Sequence, residues 1–125
     1  MLQGFKDLKV YQEAYKLGLD IYEITKNFPR DERFSMIDQM RRAARSVAAN
    51  IGEGYRKRQY PKMFVAKMAD SDGESAEMLV WLDYAKVHGY IDQQVHKNLT
   101  DRYLSVGRML GGILAHPEKF LPRKP

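Results

Sequence analysis

Apolar residues recur every three or four positions through four long segments of this sequence, and this spacing constrains the fold more than any other feature. In residues 39–58, for example, the apolar positions repeat at the spacing that places them on one face of a helix. Turn-forming residues separate or end the segments at Pro29, Pro61, Gly89 and Pro117. The pattern predicts an all-α protein with four helices and indicates no strand.

The first two helices are predicted on either side of the turn PRDE. The first carries two adjacent apolar stripes and ends before Pro29, and so wide an apolar surface predicts contact with more than one neighbour. Its tyrosines are interpreted as residues at the edge of the core, with stacking platforms for bases as the alternative. The second helix is predicted to start after Asp31, its N-cap, and to reach about Arg56.

The last two helices are bounded by residues that have defined roles at helix ends. Pro61 suits the first turn of the third helix, where its missing N–H costs nothing. This helix is predicted to reach Val87 and to stop at Gly89, a good cap in the left-handed conformation. Asp92 is predicted to cap the fourth helix, which continues to about Ala115.

Length and composition are typical of one globular domain. The chain has 125 residues, of which 44% are hydrophobic and 30% charged. We predict an antiparallel up-down-up-down four-helix bundle over residues 1–116, followed by a C-terminal tail over residues 117–125. The absence of cysteine excludes a disulfide framework and a thiolate metal site. Because no apolar run reaches the ~20 residues of a membrane span and no signal-peptide pattern is present, the predicted location is the cytoplasm.

The second helix carries a polar stripe between its core-facing side and a solvent side that includes Arg41, Arg45 and Arg56. Buried polar groups without partners cost roughly 1–3 kcal/mol each, so the stripe predicts a satisfied network. Arg42 and Glu53 are too far apart to pair with each other, so they would pair with residues of another helix or another chain. Ser46 and Asn50 would bridge by hydrogen bonds. We interpret the stripe as a seam that fixes register and oligomeric state. Ligand or nucleic-acid contact and catalysis are the alternatives. The stripe comprises Gln39, Arg42, Ser46, Asn50 and Glu53.

Small residues occur beside this stripe, among them Gly52 and Gly54. Glycine lowers helix propensity, so two glycines late in one helix call for a structural reason. We interpret them as positions where another backbone approaches closely. The alternative is that they only loosen the end of the helix.

Basic residues cluster where the second helix ends. The formal net charge is +5, which permits nucleic-acid binding without establishing it. Phosphate contacts by lysine and arginine give sequence-independent affinity, and Tyr55 and Tyr60 could stack on unpaired bases beside them. A solvated turn that promotes solubility is the alternative. The predicted nucleic-acid-binding residues are Arg41, Arg45, Arg56, Lys57, Arg58 and Lys62.

The sequence lacks the common motifs of enzymatic chemistry. Neither Glu53, Glu74 nor Glu77 is followed three residues later by histidine, as a di-iron bundle requires. No two histidines have metal-ligand spacing, and GEGYRKR lacks the spacing of a P-loop. We predict no catalytic residue, no metal and no cofactor. The acidic run of the third helix is interpreted as a solvated or partner-facing surface and comprises Asp70, Asp72, Glu74 and Glu77.

Three segments carry a recognisable combination of fixed polar residues and glycines. They are FKDLKVYQEA, QMRRAARSVAANIGEGYRKR and GESAEMLVWLDYAKVHGYI. Together they resemble the four-helix-bundle family named for 23S ribosomal RNA intervening-sequence proteins, over residues 5–91. The chain departs from that pattern at Gly52, at Glu74 and in KRQYPK of the second turn. The positions that match the family's motif are Gln39, Arg42, Ser46, Asn50, Glu53, Gly54, Gly73 and Glu77.

The resemblance implies a small all-α bundle that assembles as a homopentamer with a barrel shape and a basic surface. The chain is also similar to the accessory protein of diversity-generating retroelements, which binds nucleic acid and works with a reverse transcriptase. Residues and resemblance together predict a non-enzymatic, oligomeric bundle that binds nucleic acid, with RNA as the expected ligand. The alternatives are a scaffold that docks a protein partner and, lower, a nucleotide hydrolase with a metal in the acidic run.

Overall fold

The computed structural model describes residues 4–122, which form four α-helices joined by short connections. The described residues contain no β-strand, and none of their helices is long and apolar enough to cross a membrane. The prediction of an all-α, single-domain protein with four helices is confirmed. The helices are α1 (Lys9–Thr25), α2 (Met36–Arg56), α3 (Pro61–Val87) and α4 (Gln93–Ala115).

Each helix contributes an apolar face to one core. On α1, Val10, Ala14, Leu17 and Ile21 are buried at the predicted spacing. Contacts join α1 to α2, α2 to α3, α3 to α4 and α4 back to α1, so the helices enclose the core. Burying an aliphatic or aromatic core side chain stabilises the fold by roughly 1.5–3 kcal/mol. Fully buried members from the other helices include Met40, Ile51, Met68, Leu82 and Leu110.

Three predicted helix boundaries are confirmed. Pro61 is the first residue of α3, which ends at Val87 as predicted. Gly89 has a φ of 79°, in the left-handed region that favours glycine. The Asp92 carboxylate accepts a hydrogen bond from the Val95 N–H at 2.8 Å and so caps the start of α4.

The start of α2 differs from the prediction, and the assignment of Asp31 as its N-cap was wrong. Asp31 lies in a single 3-10 turn, Arg30–Glu32, and α2 begins later, at Met36, without a side-chain cap. The turn is held in place because Glu32 accepts a hydrogen bond from the Tyr90 hydroxyl at 2.9 Å. The turn therefore contacts the α3–α4 connection, which lies far from it in the sequence.

The described part of the predicted tail packs on the bundle. After the 3-10 turn Pro117–Lys119, the Phe120 ring lies 6.5 Å from the Phe64 ring between centroids. The Phe120 carbonyl oxygen also accepts a hydrogen bond from Arg58 Nη1 at 3.4 Å. Residues 1–3 of the predicted domain and 123–125 of the predicted tail lie outside the described residues, and the boundary at residue 116 stays a prediction.

Candidate functional site

The polar stripe of α2 lies along its contact with α3, where ion pairs join the two helices. Arg42 donates from Nη1 to Glu74 Oε1 at 3.3 Å and from Nη2 to Glu77 Oε2 at 3.0 Å. Further along α2, Glu53 pairs with Lys67 Nζ at 2.9 Å. Arg42 and Glu53 therefore both have partners on another helix, as the sequence predicted. We call this region the α2–α3 seam.

The ion pairs of the seam shift the pKa values of the groups that form them. The hydrogen bond from Lys67 lowers the pKa of Glu53, and the same bond raises the pKa of Lys67. For Arg42, partial desolvation opposes protonation, but hydrogen bonds to Glu74 and the charges of Glu74 and Glu77 outweigh it and raise the pKa. Because all these groups reach solvent, they align the two helices more than they stabilise the fold.

Ser46 and Asn50 do not form the predicted hydrogen-bonded bridge between the other residues of the stripe. Asn50 Nδ2 donates to the Ser46 carbonyl oxygen at 3.0 Å and to Ser46 Oγ at 3.1 Å, within its own helix. Gln39 Oε1 accepts from Arg42 Nε at 3.2 Å. The side chains of Arg42 and Glu53 are 49% and 56% exposed, so the expectation of an enclosed stripe is wrong for a single chain.

Close packing and two further hydrogen bonds complete the seam. A Cβ at Gly54 would lie 2.8 Å from Met68 Cε and 2.9 Å from Lys67 Cβ, so this glycine permits the close approach of α3. The buried Ser71 hydroxyl donates to the Val47 carbonyl oxygen at 2.8 Å. Trp81 Nε1 donates to Glu77 Oε2 at 2.9 Å, which continues the hydrogen-bonded chain that starts at Arg42.

Three segments that meet at one end of the molecule carry an excess of positive charge. Residues 4–16, 53–67 and 108–122 contain ten Lys or Arg and four Asp or Glu, whereas the other described residues contain nine and twelve. We call this region the basic end. Lys6, Arg56 and Arg58 line an open polar groove of 650 Å³ there. Residues of the 3-10 turn before α1 (Phe5–Asp7) and Pro122 of the tail line it as well.

Four of the six predicted nucleic-acid-binding residues have cationic groups that make no ion pair within residues 4–122. Arg45, Arg56 and Lys62 are exposed and Lys57 is half-buried. Three of the four, Arg56, Lys57 and Lys62, belong to the basic end, whereas Arg45 lies about three helical turns before Arg56, near the middle of α2.

The other two predicted contacts, Arg41 and Arg58, are occupied within the chain. Arg41 was predicted in solvent, which is wrong, because its Nε donates to Thr25 Oγ1 at 2.9 Å. Arg58 donates from Nε to the Tyr55 carbonyl oxygen at 2.9 Å, and its guanidinium lies 3.8 Å from the centroid of the Tyr55 ring. Tyr55 is buried, so its predicted stacking on bases is also wrong. Tyr60 is 55% exposed.

On the side of α2 away from the seam, α1 and α2 border an open apolar groove of 640 Å³. We call it the α1–α2 groove. Tyr15 and Leu19 stand 52% and 53% exposed at its α1 wall, and Arg45 and Arg56 lie on the α2 wall. The sequence showed the second stripe of α1 and the small residues of α2 separately, without indicating that they face each other. The other lining residues include Tyr11, Tyr22, Ala48, Ala49 and Gly52.

The acidic run of α3 does not form a cluster. Glu74 and Glu77 turn toward α2 and pair with Arg42, whereas Asp70 is exposed. Among the described residues, no three His, Asp or Glu side chains gather as metal ligands would. The absence of a metal from this protein stays a prediction from its sequence.

The four helices of the described residues place this protein in the class of all-α, single-domain proteins. The sequence profile of the 23S rRNA-intervening sequence protein family matches residues 6–112. The chain therefore belongs to this family, and the resemblance inferred from its motifs is confirmed.

One solved structure with the same fold is the crystal structure, at 1.70 Å resolution, of a protein with unknown function from the S23 ribosomal protein family of Bacteroides thetaiotaomicron VPI-5482. Its TM-score is 0.76 at 20% sequence identity, and the alignment covers 85% of this chain and 95% of that chain. At this identity the likeness shows the fold alone. None of the curated proteins matches this chain significantly.

Proposed function

We propose that this chain acts in the cytoplasm as a non-enzymatic, oligomeric four-helix bundle that binds nucleic acid through its basic end. The observation that carries the proposal is the uneven charge, because the basic end has six more basic than acidic residues while the rest of the described chain has three fewer. Lysine and arginine attract phosphates without reading the base sequence. The family's description refers to 23S rRNA, which favours RNA as the ligand.

Exposed groups at the basic end suit a nucleic-acid backbone. Lys57 and Lys62 flank Tyr60 in the sequence, and the Tyr60 ring is exposed and offers a stacking surface for an unpaired base. Lys6 adds a cation from the 3-10 turn before α1 on the adjoining polar groove. Arg58 contributes mainly by holding the tail, because its nitrogens already donate to backbone oxygens.

The bundle in this proposal has the antiparallel up-down-up-down topology. Along the α2–α3 seam, Arg42 near the start of α2 pairs with Glu77, whereas Glu53 near its end pairs with the earlier Lys67. Residues later on α2 thus meet residues earlier on α3, as antiparallel neighbours do.

Self-assembly is the second part of the proposal. The α1–α2 groove and the outer face of α3 both expose apolar side chains, and contiguous apolar surfaces of this kind typically mark interaction sites. The homopentameric, barrel-shaped ring implied by the family resemblance is kept as the proposed form. A ring repeats the basic end in every subunit and multiplies its phosphate contacts.

The test is filter binding of single-stranded RNA, duplex RNA and an RNA–DNA hybrid across a range of salt concentrations. Changing Lys6, Lys57 and Lys62 together to glutamine removes three positive charges from the basic end. We expect weaker binding. For single-stranded RNA, the slope of the logarithm of the binding constant against the logarithm of the salt concentration should become shallower by about 2, because each lost phosphate contact removes about 0.7.

The matched control removes three charges from the opposite end of the molecule, through Lys26→Gln, Arg33→Gln and Lys86→Gln. This variant should bind RNA with nearly the wild-type salt slope. Equal losses in both triple variants would show that only total charge matters. Wild-type protein that binds none of the three nucleic acids at low salt would refute the proposal.

A further inference from the structure

The outer face of α3, opposite its core-facing side, is apolar and exposed over most of the helix. Its positions recur every three or four residues, and all of them are exposed. Val80 and Val87, for example, are 54% and 82% exposed. A helix with apolar residues on both faces is ordinarily covered on both. We call this surface the α3 ridge; it comprises Ala69, Gly73, Ala76, Val80, Tyr84 and Val87.

Acidic side chains border the α3 ridge. Residues 68–85 contain five Asp or Glu and no Lys or Arg. Asp72 and Asp83 lie on one side of the ridge, three helical turns or about 16 Å apart. Asp83 contacts His96 Nε2 at 2.8 Å, yet its side chain remains 72% exposed. The ridge therefore presents two carboxylates at a defined spacing.

The α1–α2 groove has the complementary charges at the same spacing. Arg45 and Arg56 border the groove on α2 and are also three turns apart, about 16 Å. Neither arginine makes an ion pair within the part of the chain that the structure describes. Two cations beside an apolar groove thus match two anions beside an apolar ridge.

The shapes of the two surfaces are complementary as well. Ala48, Ala49 and Gly52 leave the α2 wall of the groove shallow, and the tyrosines of α1 form its other wall. At the middle of the ridge, Gly73 and Ala76 project little, so a second helix axis could come close. The groove is long enough for about three turns of helix, which is the distance from Ala69 to Val80.

We propose that the α3 ridge of one copy docks in the α1–α2 groove of a second copy, with Asp72 and Asp83 facing Arg45 and Arg56. The inference rests on the self-assembly in the proposed function and assigns its two surfaces. Because groove and ridge differ, each bound copy keeps one free surface for the next copy, and such a contact continues until a ring closes. Arg45 and Arg56 then belong to the subunit contact, and the phosphate contacts fall to Lys57, Lys62 and Lys6.

The test uses two surface variants, each of which blocks one partner surface. Ala49→Arg fills the groove and Val80→Asp places a charge on the ridge. Mass is measured by light scattering during size-exclusion chromatography, without nucleic acid, and circular dichroism confirms that both variants fold. We expect an oligomer for the wild type, a monomer of 14.6 kDa for each variant alone, and a one-to-one dimer when the two are mixed.

Mixing the two variants distinguishes a contact between ridge and groove from other contacts between copies. If both variants were monomeric and their mixture stayed monomeric, the intact ridge of one would not bind the intact groove of the other, and the proposal would be overturned. If each variant alone formed a dimer, each surface would contact itself, and the proposal would be overturned as well. Oligomers of unchanged mass in both variants would overturn the assignment of the surfaces while leaving self-assembly intact. A monomeric wild type would overturn both. RNA binding by the basic end is measured separately, so its failure would not produce any of these results.

A charge exchange tests the pairing of the four charged residues. Arg45→Asp with Arg56→Asp should give a monomer, as should Asp72→Arg with Asp83→Arg. The chain that carries all four changes restores opposite charges across the contact and should assemble again. Assembly of either double variant to the wild-type mass, or failure of the fourfold variant to assemble, would contradict the proposed pairing.

Discussion

Helix α2 has two sides that differ in what covers them. On the α2–α3 seam, side chains of α3 close over the helix with ion pairs and a packing contact at Gly54. On the α1–α2 groove, the same helix presents Ala49 and Gly52 to an open space of 640 Å³. Small residues line both sides, but a helix of the same chain packs over them only on the seam.

The difference shows that a small residue indicates a close neighbour without indicating which molecule provides it. At Gly54 the neighbour is α3 of the same chain, with Met68 Cε 2.8 Å from where a Cβ would be. Two residues earlier, a Cβ at Gly52 would meet only the Phe5 ring, at the ordinary contact distance of 3.4 Å. The experiments below compare the two sides, from the largest expected effect to the smallest.

The largest contrast is expected between Gly54→Ala and Gly52→Ala. Gly54→Ala forces apart Lys67 and α2, so we expect the free energy of unfolding to fall by about 1–2 kcal/mol despite better helix propensity. Gly52→Ala should raise it by about 0.5–1 kcal/mol, because helix propensity dominates where nothing is displaced. Urea titration measures both. The control is Gly111→Ala, an exposed α4 position with nothing within 4 Å, which should stabilise like Gly52→Ala.

Equal effects of the two substitutions would remove the contrast between the seam and the groove. In particular, stabilisation by Gly54→Ala would mean that α3 packs less closely on α2 than the distances to Lys67 and Met68 require.

A smaller effect is expected from Arg42→Ala in the seam. The change removes the partner of Glu74 and Glu77, and Glu74 Oε2 is already buried without a hydrogen bond among the described residues. We expect a loss of about 1 kcal/mol in unfolding free energy, near the upper end for a partly exposed pair. Arg33→Ala, in the exposed turn before α2, should leave the unfolding free energy nearly unchanged. Equal losses would show that the seam pairs add nothing specific.

The smallest effect on the free energy of unfolding is expected from breaking the ion pair between Glu53 and Lys67, and this effect depends on pH. The hydrogen bond from Lys67 lowers the pKa of Glu53 from its ordinary 4.5, so this carboxylate stabilises the fold above that pH. The contribution is lost as the pH falls through the lower folded-state pKa. Unfolding free energies of the wild type and Lys67→Gln should therefore differ at pH 6 and converge at acid pH, once Glu53 is protonated. A constant difference across that range would rule out the pairing as its cause.

Features that depend on nearby residues could be predicted from the sequence. Pro61, Gly89 and Asp92 act through their own backbone or the next turn, and all three take the predicted roles. The need of Arg42 and Glu53 for partners on another helix was likewise predictable, because their distance along α2 excluded direct pairing. Helical periodicity also predicted the buried faces of α1 and α2.

Features that depend on distant contacts could not be predicted. Glu32 accepts a hydrogen bond from Tyr90, which lies 58 residues later in the chain, and α2 begins at Met36 rather than after Asp31. Arg41 lies on the predicted solvent side, but it turns to the Thr25 hydroxyl of α1. The α1–α2 groove arises from two stripes on separate helices, so neither stripe alone indicates a concave surface.

The position of Trp81 gives the molecule an intrinsic optical probe. It is the only tryptophan in the chain, its indole N–H is bonded to Glu77, and it stands next to Val80 on the ridge. Its emission wavelength will therefore respond to wetting or drying of that surface, and no attached dye is needed to follow association in real time.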